Sequence, residues 1–488
     1  MGIEKLNPKD YNKLFLNGQY VAAKSKETYS LKNPKDNTAV IDDVPIAGPE
    51  DVDAAVKYAE EAFHGPWSKF TAIQRTECFL KLAALLDEEL TPILTLDSQT
   101  SGIPISLAPV RERGYIRNCV LYYAGWTDKQ KGDYFPDDDG YVKLVRHEPL
   151  GVCCAINPFN APLATLFLKS APALATGNVM IVKPSEKTPL GTLAAAQLFL
   201  KAGFPPGVLQ VITGAGSTGA LLAEHMKIRK VSFTGSVTTG RRVQIAAAKS
   251  NLKRVTLELG GKSPAVVFDD ANLENAVTWT VNSILIRSGQ LCVAPSRVYV
   301  QKGIAEKFID AYKKKMSAAA DNLGDPQDPN VTMGPMVDAA QLERVKGMVE
   351  RGKSEAELVV GGNQRGDTGC FMEPTVFLNP KSDAEIYRNE IFGPVSVIKT
   401  FETEEEVLKL ANDTEFGLMA GVFTKDINRA LRMSSGMEAG VVGVNCVSLQ
   451  NMQAPFGGKK QSGIGREMGE YALRLFTEPK TVLINMAA

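Results

Sequence analysis

The chain has 488 residues, more than one hydrophobic core usually serves, so two or three domains are expected. Its 55 Lys and Arg balance 55 Asp and Glu, and 44% hydrophobic against 23% charged residues is ordinary for a globular protein. That balance argues against nucleic acid or an anionic membrane as the main partner, and no apolar run reaches the roughly 20 residues that cross a bilayer.

The first residues, MGIEKLNPKDYNKLFLNGQY, carry charges throughout and lack the apolar core of a signal peptide. Gly2 suggests myristoylation, but Leu6 stands where that signal needs Ser or Thr. KLFLNGQYVAA, with Asn17-Gly18 between apolar runs, predicts a tight hairpin. PEDVDAAVKYAEEAF follows, with Val52, Ala55, Val56, Ala59 and Phe63 on one helical face. Residues 126 to 147 are polar and turn-rich and read as an excursion.

From residue 151 the rhythm changes. GVCCAIN, NVMIVKPS, VLQVIT, KVSFTG and RVTLELG are short apolar runs ending in Gly, Pro, Ser or Asn, most of them separated by helical stretches such as PLGTLAAAQLFLKAG. Alternation of this kind predicts a doubly wound parallel sheet, with ligands beyond the carboxyl ends of its strands. A second alternating series follows LELGG, from PAVVFDD to GVVGVN, and predicts a second α/β domain with a boundary near 260. TEPKTVLINMAA reads as a terminal strand.

Seven cysteines without C-x-x-C spacing fit neither a disulfide framework nor a zinc site, and point to reduced thiols in the cytoplasm. Three scattered histidines, His64, His147 and His225, predict no metal. Cys292 in SGQLCVAPS is either a nucleophile or a small buried side chain. GAGSTG, with Gly214, Gly216 and Gly219, matches a dinucleotide fingerprint, but the acidic residue about 20 positions on is missing and a plain strand-to-helix turn explains it as well. FTGSVTTGRR is more informative: Gly235, Ser236 and Gly240 would aim backbone N–H groups and a helix dipole at a phosphate. In KPSE, Lys183 and Glu186 form a solvated salt bridge or offer hydrogen bonds to ribose hydroxyls.

Taken together, EPLGVCCAINPFNAPL, VKPSEKTPL, FTGSVTTG, LELGGKSP, GQLC, EIFGPV and PFGGKKQSGIGRE occur in one order along nearly the whole chain, and they resemble the aldehyde dehydrogenase superfamily of the hydrolytic, non-acylating type. The resemblance implies an α/β protein with a Rossmann-like NAD-binding domain (1–125 and 148–259), a catalytic α/β domain (260–450) and a small β oligomerisation arm (126–147 and 477–488). It implies oxidation of an aldehyde to a carboxylic acid, with Cys292 as nucleophile through a thiohemiacetal and a thioester. Asn160 is then the oxyanion donor and Glu258 the general base. Lys183 and Glu186 would hold the adenosine ribose, Gly235 and Ser236 the pyrophosphate, and Glu390 the nicotinamide ribose, with Phe392 beside the nicotinamide. A carboxylate at Glu186 would repel a 2′-phosphate, which favours NAD over the NADP that some members accept. A homodimer or homotetramer is implied, joined through the arm.

The chain departs from the family's aromatic substrate tunnel. Phe159, Ala161, Thr165, Leu168, Leu291, Val293 and Phe456 are the expected pocket residues, and the family's phenylalanine pair is replaced by Leu285 and Ile286. Smaller aliphatic walls predict an aliphatic or bulky hydrophobic aldehyde. Arg287 raises the alternative of an acidic semialdehyde, although a surface position is expected for it. A further alternative is a catalytically silent, crystallin-like protein on the same scaffold.

Overall fold

The computed structural model describes residues 5–107 and 112–486. Gly2 and the last two residues of the expected arm lie outside the described residues, as do residues 108–111 within the expected NAD-binding domain. Asn17 and Gly18 both take positive φ, 48° and 78°, and close a tight hairpin between Leu14–Leu16 and Gln19–Val21.

This hairpin caps one edge of an eight-stranded sheet. Its central strands Val152–Ile156, Val179–Lys183 and Lys230–Thr234 are buried almost throughout and pair in parallel. Continuous apolar runs suit such strands because helices cover both faces. Pro162–Ala175 and Leu190–Lys201 are buried on nearly all sides for the same reason. The strand order turns back at Val152–Ile156: Val179–Lys183 lies on one side of it and Lys230–Thr234 on the other. The crevice at that reversal, beyond the carboxyl ends of the strands, is where such sheets bind ligands.

A second, seven-stranded sheet runs from Glu357–Val360 through Thr375–Leu378, Val395–Phe401, Arg297–Gln301, Pro264–Val267 and Met419–Phe423 to Val441–Val444. Its pairings are parallel except for the first. Separate apolar clusters cover its two faces.

The stretch 451–476 had no domain in the sequence reading. In the structure Gly463–Ile464 pairs antiparallel with the strand Arg254–Glu258, placing Gly463 opposite Glu258. Gly463 has φ of 151°, and a Cβ there would lie 2.2 Å from the Leu257 carbonyl oxygen, so only glycine permits this approach. The late chain therefore closes over the end of the first sheet.

Thr477–Asn485 and Tyr141–Pro149 form a continuous antiparallel ladder, with Asp133–Phe135 on the other side of the latter. The apolar side chains Tyr134, Phe135, Leu483 and Ile484 of this three-stranded sheet are exposed. Among the described residues no helix is long and apolar enough to cross a membrane, and all seven cysteines are free.

Candidate active site

Two strand ends and one strained loop build the site. After Val152–Ile156 the chain runs through Pro158 and Phe159 to Asn160, just before the helix Pro162–Ala175. Glu258 is the last residue of Arg254–Glu258 and is 6% exposed. Cys292 follows a loop in which Arg287, Ser288 and Gly289 take φ values of 52°, 54° and 71° in succession. Non-glycine residues resist this left-handed conformation by about 1 kcal/mol or more each, so the fold must hold it. At Gly289 a Cβ would sit 2.0 Å from the Gly393 carbonyl oxygen, which excludes any other residue.

Gln290 fixes the loop. Its Nε2 donates to the Arg287 carbonyl at 3.0 Å, its Oε1 accepts from the Val337 N–H at 2.9 Å, and its own carbonyl accepts from Asn160 Nδ2 at 2.8 Å. Asn160, Glu258 and Cys292, which are 132 residues apart from first to last (292 − 160), thus line one cavity of about 640 Å³.

The electrostatics are those of a dry pocket. Burial pushes the Cys292 thiol well above its usual range, and the neighbouring Glu258 carboxyl adds to the shift. Burial likewise pushes Glu258 up to about 8, reinforced by the charge of Glu467, while Cys292 and Lys169 oppose it. Among the described residues Glu258 Oε1 has no hydrogen-bond partner, and Glu258 lines the cavity.

Behind Glu258 lies a buried ion pair that the sequence reading missed. Lys169 Nζ donates to Glu467 Oε1 and, at 3.0 Å, to Ser232 Oγ. Lys169 is 1% exposed and Glu467 reaches the cavity wall. A lone lysine in the apolar helix PLATLFLKSAPALA was the available signal, since buried charges persist only when paired. Glu467 joins it only through the late chain, where its backbone pairs with Phe456.

Of the expected pocket residues, Ala161, Thr165, Leu168, Leu291, Val293 and Phe456 line this cavity, joined by Tyr115, Trp279, Ile286 and Leu449. Phe159 is placed differently: it does not line the cavity and instead meets Phe392 edge-to-face at 5.6 Å, with Lys187 over its ring. Its neighbours Pro158 and Asn160 both line the cavity. Arg287 also departs from expectation. Rather than lying on the surface, it lines the cavity and donates to Glu112 at 2.6 Å, because the left-handed loop turns it inward.

The remaining expected residues sit at the strand ends outside that cavity. Lys183, 3% exposed, donates to the Pro184 carbonyl at 3.1 Å and pairs with Glu186 at 3.7 Å. Burial holds its ammonium below the usual range, so a bound polar ligand would be a welcome second partner. Ser236 caps the helix Val237–Lys249 by accepting from the Thr239 N–H, with Gly235 before it and an exposed first turn. Glu390 accepts from the Gly261 N–H at 3.0 Å and is pushed up to about 7 by burial; its charge reaches both Glu258 and Cys292. Phe392 is held at φ of 55° beside it. A lysine and a glutamate at one strand end, an open helix start and a second carboxylate near the thiol fit a dinucleotide laid across the strand ends. GAGSTG, by contrast, is a turn into the helix Gly216–Glu224, with Thr218 bound back to the Ala47 carbonyl. Among the described residues no His, Cys, Asp and Glu cluster is placed to hold a metal.

Comparison with known proteins agrees with this geometry. Residues 20–482 match the sequence profile of the aldehyde dehydrogenase family. Cytosolic aldehyde dehydrogenase 1 of Elephantulus edwardii is 43% identical over 98% of this chain and 95% of its own. The NAD+ complex of a Bacillus cereus aldehyde dehydrogenase superposes with a TM-score of 0.95, at 41% identity over the whole of both chains. An E. coli NADP-dependent enzyme superposes at 0.94, with 34% identity over 99% of this chain and all of its own.

Proposed function

The chain belongs to the aldehyde dehydrogenase family and oxidises an aldehyde group, and on that premise we propose that Cys292, Glu258 and Asn160 carry the chemistry. The observation that supports this most is their convergence on one cavity, with Asn160 tied to the loop of the nucleophile.

Glu258 accepts the thiol proton and the Cys292 sulfur attacks the aldehyde carbon, forming a thiohemiacetal. Its oxyanion takes hydrogen bonds from Asn160 Nδ2 and the Cys292 N–H, in a site dry enough to make them strong. A nicotinamide dinucleotide, when bound, accepts the hydride that leaves this carbon. The product is a thioester on Cys292. Glu258 then draws a proton from water, and attack of that water releases the carboxylic acid and restores the thiol. The Lys169–Glu467 pair behind Glu258 gives the proton a charged neighbour on its way out.

Lys183 and Glu186 would hold the adenosine ribose, Gly235 and Ser236 the pyrophosphate, and Glu390 the nicotinamide ribose, with Phe392 against the ring. The half-exposed Glu186 carboxylate favours NAD, because a 2′-phosphate would bring two like charges together. The wide cavity and its aliphatic walls, Leu168, Ile286, Leu291 and Leu449, favour an aliphatic or bulky aldehyde over acetaldehyde. Among the described residues that line the cavity Arg287 is the one cation, and its pairing with Glu112 disfavours an acidic semialdehyde.

The exposed apolar side chains of the arm, Tyr134, Phe135, Leu483 and Ile484, support assembly of copies of this chain into a dimer or tetramer. Seven free thiols support a cytoplasmic location, with residues 1–125 and 148–259 as the cofactor domain, 260–450 as the catalytic domain, and 126–147 and 477–488 as the arm.

The test is NADH absorbance with an aldehyde panel, supplied with NAD, NADP or NAD plus coenzyme A. Turnover with NAD alone, abolished in Cys292→Ala while NAD binding persists, is the expected result. Turnover that requires coenzyme A, or that survives Cys292→Ala, would overturn it.

A further inference from the structure

The lining of the aldehyde cavity includes an ion pair, Arg287 with Glu112. Arg287 Nη2 donates to Glu112 Oε1 at 2.6 Å, with the side chains 16% and 8% exposed. Among the described residues this is the only hydrogen bond of the guanidinium, and Arg287 lines the cavity. A guanidinium carries five donors in a rigid plane, and one bond to a carboxylate leaves most of them free.

The charge of this group is already answered. Glu112 neutralises it, and the fully buried Asp97 stands close enough to feel both. Burial and the charge of Glu112 hold the Asp97 carboxyl well above the usual carboxylate range. The loop makes the arrangement rigid: three successive left-handed residues start at Arg287, and Ser288 Oγ locks the next position by donating to the Gly334 carbonyl at 2.5 Å. Tyr115, whose hydroxyl feels both Arg287 and Cys292, lines the same cavity. Asn282, Ser283 and Gln450 add neutral polar groups to the same wall.

We infer that Arg287, held by Glu112, determines specificity by donating hydrogen bonds to a neutral oxygen at the distal end of the aldehyde, such as a hydroxyl, ether, ketone or amide. A carboxylate gains little from a cation whose field is cancelled and meets Glu112 beside it, whereas a neutral acceptor needs only the free donors. A plain alkanal leaves those donors facing an apolar chain, which is a penalty rather than a gain. The substrate class is therefore an aldehyde with an apolar middle and an uncharged oxygen-bearing tail. The inference rests on the proposed catalytic site, since it locates the tail relative to Cys292.

The experiment compares n-alkanals, ω-hydroxyalkanals and ω-oxoalkanoates of matched length with NAD, in the wild type and in Arg287→Leu/Glu112→Gln. The double variant avoids leaving Glu112 buried with an unanswered charge. The wild type should show kcat/KM about tenfold or more higher for the hydroxyalkanal than for either of the others, the difference residing in KM. In the double variant the ratio of hydroxyalkanal to alkanal should fall to near one. Equal use of hydroxyalkanal and alkanal by the wild type overturns the inference, as does an Arg287-dependent preference for the oxoalkanoate. If the variant fails to fold, the wild-type ratio decides by itself. Alkanal turnover without a hydroxyl preference sinks this inference alone, whereas no NADH from any aldehyde sinks the catalytic assignment beneath it.

Discussion

Asn160 donates its side-chain amide to the Gln290 carbonyl at 2.8 Å, so the proposed oxyanion donor is anchored to the loop that carries the proposed nucleophile, Cys292, two residues later. The donor is set before substrate arrives, which is what makes such a hydrogen bond effective. Asn160→Ala should lower kcat by about a hundredfold or more with a small effect on KM. Gln290→Ala should lower kcat too, but through the loop, since it also releases Val337 and Arg287. Steady-state kinetics with thermal unfolding of both variants separates the cases: only Gln290→Ala should unfold at lower temperature.

As the proposed base, Glu258 should set the pH dependence. Its carboxyl is pushed up to about 8, so the basic form grows as pH rises toward 8, and kcat/KM should climb over that range and level off above it. The sign for stability is the reverse. A carboxyl raised from about 4.5 to about 8 favours the protonated form in the folded state, so its contribution is present below the lower value and is lost as pH rises through the upper one. Glu258→Gln should flatten the pH–rate profile at a much lower level and should be more stable than wild type at pH 9 than at pH 6, as read by denaturant titration.

The charge of Glu467 is the largest electrostatic contribution that raises Glu258, after burial. Glu467→Gln should therefore shift the rising limb of the kcat/KM profile to lower pH, because the like charge is gone and Lys169 remains. Lys169→Met should shift it to higher pH and destabilise the protein by about 3 to 5 kcal/mol, since it strands a buried carboxylate. Opposite shifts from the two halves of one ion pair would not arise from a merely structural role.

Glu186 should govern the cofactor. It is half-exposed and pairs with the buried Lys183 at 3.7 Å. Glu186→Ser removes the carboxylate that meets a 2′-phosphate and frees the ammonium to greet one. The ratio of kcat/KM for NADP to that for NAD should rise by about tenfold or more, measured with one saturating aldehyde.

Much of this protein was legible in its sequence because the signals were local. The Asn-Gly hairpin, the buried strand runs of the first sheet and the turn FTGS each state their conformation within a few residues, and the ordered motifs placed Asn160, Glu258 and Cys292 as candidates. Periodicity and turn chemistry depend on near neighbours, so they survive without the fold. The tertiary structure alone decided the rest. Arg287 is polar and next to a GQ motif, which is as compatible with a surface as with a cavity wall, until three left-handed residues turn it onto Glu112. Phe159 and Asn160 are adjacent, yet one faces Phe392 and the other the cavity. Glu467 lies 298 residues from Lys169, and only the return of the strand Gly463–Ile464 to the edge of the first sheet brings that charge behind Glu258. Local chemistry determined which groups were available; long-range packing determined which of them share one dry space, because burial and distance set the strength of every charge in it.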